Sequence, residues 1–206
     1  TDNQERGPGF FQSWVNTYRA VPGVGFYKTF KNTGVDYFDA RGYVTFSATK
    51  YIDIQFGHDK NFIGDGYRSM LLSDNSFNYP FLKINASFWK VKYMVLYALF
   101  QDGPYLTFND EQAFRRKYGT FHYLDVDIGK RLTVGILESI IWRYDATRAF
   151  DINYINPVIF LRPVEFSIGS PDNALLGFNT KFKINSNNYL YGQLMLDEFK
   201  LKEVRD

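Results

Sequence analysis

Residues 57–80 read GHDKNFIGDGYRSMLLSDNSFNYP and hold the densest set of groups able to do chemistry. His58 is a candidate general base near the usual imidazole range, with Asp59 or Asp74 to orient it, and Ser69 and Ser73 are candidate nucleophiles. No GxSxG elbow presents either serine. The plainer reading is a loop whose charges, Asp59, Lys60, Asp65, Arg68 and Asp74, pair with one another while Gly64 and Gly66 shape the turns. A second group, Arg162, Glu165, Asp172 and Asn173, stands in FLRPVEFSIGSPDN. Glycoside hydrolysis needs two carboxylates roughly 5–10 Å apart. Glu165 with Asp172, or Asp125 with Asp127, offers such a pair, but a chain with 22 acidic residues makes pairs cheaply. An ion pair between Arg162 and Glu165 is the simpler expectation.

Other chemistries are thinly supplied. The chain has no cysteine, so disulfides and thiolate catalysis are excluded. Two histidines, His58 and His122, are too few for a multi-histidine metal centre. Calcium-loop spacing, a phosphate loop and a dinucleotide fingerprint are all missing, so no metal or cofactor is expected. A net charge of +2 gives no basic field for nucleic acid. Sugar binding asks for aromatic platforms beside amides and carboxylates. Tyr67, Asn75, Phe77, Asn78 and Tyr79 supply these in one long connection, and Tyr144, Asp145 and Arg148 in another.

The elements that must position these groups are strands. Aromatic residues make up 19% of the chain, a composition that suits strands and membrane interfaces. In FLKINASFWKVKYMVLYAL, a two-residue turn at Trp89 and Lys90 puts Phe88 opposite Val91, Ala86 opposite Tyr93, Ile84 opposite Val95, and Leu82 opposite Tyr97. Lys83, Asn85, Ser87 and Lys92 then share the other face. Around Gly129, Ile128 faces Leu132, Val126 faces Val134, and Leu124 faces Ile136. Around residues 185–189 the expected pairs are Ile184 with Leu190, Phe182 with Gly192, Thr180 with Leu194, and Phe178 with Leu196. Around residues 49–51, Ala48 faces Ile52, Phe46 faces Ile54, and Val44 faces Phe56, unless the segment is one long strand. A weaker pair is expected near residues 24–30 and 35–38. Residues 111–117 form the one plausible short helix.

This gives an all-β, antiparallel up-and-down arrangement of eight to ten strands. Residues 1–40 form an N-terminal segment with a weak strand pair. Residues 41–206 form the main unit, with long loops at 57–80, 100–119 and 141–175. Tight turns alternating with long loops are the plan of an outer-membrane β-barrel. Tyr51, Trp89 and Tyr189 beside the short turns, and Phe56, Tyr97, Phe100, Trp142 and Tyr144 near the long loops, would make two aromatic girdles. A soluble β-sandwich also buries one apolar face per strand, so the same alternation fits a sandwich carbohydrate-binding module.

The segment FGHDKNFIGDGYRSMLLSDNSFNYPFLKINASFWKVKY (56–93) resembles the Wzi-type capsule-assembly family of outer-membrane proteins, particularly Bacteroidetes-like members, some linked to gliding motility. NPVIFLRPVEFSIGSPDNALLGFN (156–179) and YGQLMLDEFKLKEVRD (191–206) extend the likeness. The resemblance implies a transmembrane barrel of 18 strands in the bacterial outer membrane. It implies non-catalytic binding or organisation of surface polysaccharide, in contact with membrane lipid and with other surface-assembly proteins. A gliding or other surface-machinery role is the nearest alternative. Eight to ten strands would be about half of such a barrel, so the chain reads as a piece of one. On this reading His58, Asp59, Arg68, Asp74, Asn75, Tyr79, Arg162, Glu165, Asp172 and Asn173 are the polysaccharide-binding or lumen-facing polar residues, with Arg68, Asp74 and Asn75 holding the first loop.

Overall fold

The computed structural model describes residues 20–21, 25–30, 34–102, 115–143, 151–158 and 172–197. Three short strands come first: β1 (Ala20–Val21), β2 (Gly25–Phe30) and β3 (Gly34–Tyr37) form an antiparallel sheet in that order. The expected early strand pair is thus β2 with β3, where Phe30 opposes Gly34. Eight longer strands follow: β4 (Gly42–Thr49), β5 (Ile52–Asp59), β6 (Tyr79–Phe88), β7 (Val91–Asp102), β8 (Arg115–Ile128), β9 (Leu132–Arg143), β10 (Asn173–Lys183) and β11 (Tyr189–Asp197). Each pairs with its neighbours in chain order, giving one up-and-down antiparallel sheet.

The turns show why the hairpins close where they do. Trp89 takes φ of 55° in the two-residue link between β6 and β7. A left-handed residue there matches the right-handed twist of the flanking strands. Gly129, at φ 74°, does the same between β8 and β9. Thr49 Oγ1 accepts from the Tyr51 and Ile52 amides, closing β4 onto β5. Asn185 Oδ1 accepts from the Asn187 and Asn188 amides before β11.

Register agrees with the alternation at two hairpins: Phe88 opposes Val91 and Leu82 opposes Tyr97, and Ile128 opposes Leu132 through to Leu124 with Ile136. Two others differ. Ala48 is passed over by a bulge, so Thr49 opposes Ile52, while Val44 and Phe46 keep their expected partners. The β10–β11 pairing is two residues off expectation, with Phe182 opposite Leu190 and Phe178 opposite Leu194. The five-residue turn built on Asn185 sets that register. A two-residue slip leaves every side chain on its expected face, because the strand period is two.

Strands run further than expected into the long connections: β5 reaches Asp59 and β6 begins at Tyr79, β7 reaches Asp102 and β8 begins at Arg115, and β9 reaches Arg143 with β10 beginning at Asn173. The helix expected at 111–117 is corrected at its end: Arg115, Arg116 and Lys117 belong to β8, paired with Asp102, Gln101 and Phe100. Residues 111–114 lie outside the described residues. No α-helix occurs among those described.

The sheet has two unlike faces. On one, Thr45, Asp53, Gln55, Lys83, Asn85, Lys92, Asp125, Asn179, Lys181 and Gln193 lie in register with apolar residues nearer the long loops. Residues 60–78 fold back over that apolar zone. Their Ile63 and Leu71, joined through the Ile63–Leu72 bridge, pack with Phe81, Leu96, Ala98, Phe121 and Leu137 to form the main core. The opposite face is mostly apolar, and much of it stays open: Val44 (73% exposed), Phe46 and Phe56 at one edge, Leu190 (63%), Leu194 and Phe182 at the other.

Candidate functional site

Asp65 sits at the tip of the folded-back connection and binds it to the far side of the sheet. Gly64 and Gly66 on either side have φ of 106° and 101°, a conformation that suits glycine, and a Cβ on them would collide with Gln193 and Tyr191 of β11. The close approach lets the Asp65 carboxylate accept from Asn179 Nδ2 at 2.8 Å and from Lys181 Nζ at 2.8 Å. Asn179 is buried, and its other contacts are the Tyr123 hydroxyl, the Asp65 amide and Gln193 Nε2. Gln193 also receives the Met70 amide on its Oε1, and its Nε2 donates to the Asp65 carbonyl. Two further pins hold the connection. Lys83 Nζ donates to Asn61 Oδ1 at 2.9 Å, and Asn78 Nδ2 donates to Asp39 Oδ1 at 2.5 Å and to the Ala40 carbonyl.

Asp39 is held well below the usual carboxylate range, first by its hydrogen bonds from Arg41 and then by that from Asn78. Its oxygens take Arg41 Nε at 3.1 Å and Nη2 at 2.7 Å.

The expected loop-holding residues are corrected by this arrangement. Arg68, Asp74 and Asn75 are exposed, and Asn61, Asp65, Ser69 and Asn78 do the holding. Arg68 stands over the ring of Tyr67, itself 82% exposed. His58 and Asp59 do not form a dyad, because consecutive strand residues point to opposite faces. His58 Nδ1 contacts the Ala40 carbonyl and its ring packs edge-on to Phe77, while Asp59 accepts from the Lys60 amide. Tyr79, expected to be a polar lumen residue, is core: it is 3% exposed, with its ring 4.6 Å from that of Phe100. Asp172 accepts from the Tyr154 hydroxyl at 2.7 Å, and Asn173 opens β10 opposite Ile141. Arg162, Glu165, Tyr144, Asp145 and Arg148 lie outside the described residues.

Nearer the short turns the same face carries a shallow recess of about 280 Å³, lined by Asn85, Ser87, Lys92, Tyr123 and Asp125. Asp125 and Asp127 share this face, but Asp127 is occupied by the Thr133 hydroxyl at 2.6 Å.

The other face holds a feature that alternation of apolar residues hid. Residues 151–158, with a short 3-10 turn at Ile152–Ile155, lie over the apolar face of β7, β8 and β9. Tyr154 is fully buried beside Trp142, their rings 4.8 Å apart, and Trp142 stacks on Tyr118. Thr120, which donates to the strap, and the opposed pair His122 and Glu138 on the same face are all buried. His122 Nδ1 lies 2.6 Å from the Tyr93 hydroxyl, which donates to the Pro157 carbonyl at 2.7 Å. A hydroxyl has one proton to give, so Nδ1 carries a proton and donates to Tyr93. Two of the expected girdle residues are thereby corrected: Trp142 is under the strap, and Phe100 is on the loop-covered face with Tyr79 and Phe121. The signal for the strap was the run of polar side chains, Thr120, His122 and Glu138, at positions where the alternation called for apolar ones.

No protein-family model, curated protein or solved structure matches this chain.

Proposed function

We propose that the chain forms part of a bacterial outer-membrane β-barrel that binds or organises surface polysaccharide without catalysis. The observation that carries this reading is the unlike pair of faces. Eight consecutive strands put apolar side chains on one side, where many stay open, and a hydrogen-bonded polar network with a folded-back loop on the other. Open apolar surface of that extent marks a face made for lipid or for another protein. A barrel places irregular backbone in its lumen, where residues 60–78 would lie. Exposed Tyr67, Arg68, Asp74 and Asn75 would meet sugar at that loop. A gliding or other surface-machinery role would use the same placement.

One observation favours a second reading, a soluble β-sandwich carbohydrate-binding module: the strap covers part of the apolar face, as a second layer would. Gel mobility of the parent chain from outer-membrane extracts, with and without boiling, separates the two. A boiling-dependent shift in the membrane fraction is expected, with glycan retention that falls in Tyr67→Ala while the shift persists. A chain found in the soluble fraction with no shift sinks the barrel and leaves the sandwich.

A further inference from the structure

The strap is an odd object for a protein surface: beside Asn153 and Asn156, its exposed side chains are Ile152, Ile155, Pro157 and Val158. Ile152 is 76% exposed, Ile155 40% and Val158 59%. Residues 152–158 contain no charged side chain. Part of its backbone is tied down. Three carbonyls are taken by hydroxyls of the sheet: Tyr154 by Thr120 at 3.1 Å, Ile155 by Tyr97 at 2.6 Å, and Pro157 by Tyr93 at 2.7 Å. The Asn153 amide and side chain both donate to Asp151 Oδ1, the Tyr154 amide donates to the Asp151 carbonyl, and Asn156 Oδ1 accepts from the Val158 amide. Pro157 has no amide to satisfy.

In water such provision is unnecessary, because exposed carbonyls and amides are hydrated at no cost. In hydrocarbon each unsatisfied group costs several kcal/mol, roughly, so non-strand backbone survives there only when its polar groups are already paired. The strap also engages the Thr120 hydroxyl, and His122 and Glu138 on the same face are buried, all side chains that acyl chains would tolerate poorly. Its own outward side chains include Ile152, Ile155 and Val158, with Asn153 and Asn156 between them.

We infer that residues 152–158 are a clasp worn on the outside of the barrel, whose outward face meets the acyl chains of the bilayer. This rests on the membrane reading above and adds to it a lipid contact made by a segment that is not a strand. The sheet supplies hydroxyls to three of the clasp's carbonyls, while Ile152, Ile155 and Val158 are solvated by lipid.

The chain has no native cysteine, so single reporters are clean. Ile152→Cys, Ile155→Cys, Leu194→Cys and Tyr67→Cys are each labelled with an environment-sensitive fluorophore in the full parent chain. Each is refolded into phosphatidylcholine vesicles with or without nitroxide-bearing acyl chains, and folding is checked by the boiling-dependent shift. Loss of fluorescence to acyl-chain nitroxide is expected at residues 152, 155 and 194, and not at 67, which responds to aqueous iodide. Quenching at residue 194 by lipid, with residues 152 and 155 quenched only by iodide, overturns the clasp and leaves the barrel standing. No lipid quenching at any of the four positions overturns both. Because Ile152 projects furthest into the surroundings, its variant keeps the test valid if Ile155→Cys fails to fold.

Discussion

Asp65 shows how much one side chain does when it ends a loop. Its carboxylate meets Lys181 and Asn179, and both partners stand on a strand more than a hundred residues away in the chain. The ion pair is partly open to solvent, so its direct worth is modest, about 1 kcal/mol. Loss of the carboxylate also leaves buried Asn179 Nδ2 short of an acceptor, a further cost of about 1–3 kcal/mol. Asp65→Ala is therefore expected to free residues 60–78 locally before it unfolds the sheet. Tryptic cleavage after Arg68 should quicken several-fold at unchanged urea midpoint for the sheet signal; unchanged cleavage would mean that Ile63 and Leu71 alone seat the loop. Asp39 is the matching pin at the loop's other end. Its pKa is depressed in the folded state, so its contribution is fully present above the unfolded value near 3.9 and is lost only as pH falls through a lower one. Protection against hydrogen exchange across residues 73–78, taken relative to intrinsic rates at each pH, should hold steady from pH 7 to about 4 and fall only in stronger acid.

Strands are where the two readings of the apolar face make different demands. Leu194 lies in the middle of β11 and Leu190 near its short turn, and both are open. Against a bilayer, Leu194→Lys should cost roughly 2–4 kcal/mol and Leu190→Lys about 0–1, because the penalty falls with depth. Unfolding of the parent chain from vesicles in urea measures both. Equal costs at the two positions, or a ranking that follows packing, would instead favour a second protein layer. Val95 cannot report on lipid in this way: it is 2% exposed, flanked on its own face by Tyr93 and Tyr97, which bond to the strap. The hairpins themselves were legible in the sequence because register and face follow from alternation and turn chemistry. Where that reading slipped, at Ala48 and at Phe182, a bulge and a five-residue turn shifted partners within one face, where alternation does not distinguish one register from the next.

At the scale of the whole molecule, one sheet is asked to serve two environments. The loop-covered face gains a core from Ile63 and Leu71 and a network from Asp65, Asn179 and Gln193. The apolar face gains the strap over β7 to β9 and is otherwise open toward both edges. β4 and β11 are edge strands among the described residues, each with one neighbour. A long open edge invites pairing with further strands, which is how a barrel removes its edges. The boiling-dependent shift is the readout at this scale, since it depends on closure rather than on any single contact.

Sequence alone determined most of the strands, their antiparallel order and the face that most hairpin side chains take, because a period of two is a local property of the backbone. It also marked Gly64, Asp65 and Gly66 as turn residues. It could not decide which polar residues of residues 57–80 would be used. Asp65 and Tyr79 look no different in the chain from Asp74 and Tyr67, and only proximity to Lys181 and Asn179, or to Phe81 and Phe100, separates them. Nor could it foresee the strap, whose carbonyls bond to hydroxyls brought to them from β7 and β8. Such contacts join residues some thirty to sixty positions apart, and no local pattern encodes a distance of that kind; it exists only once the sheet has formed.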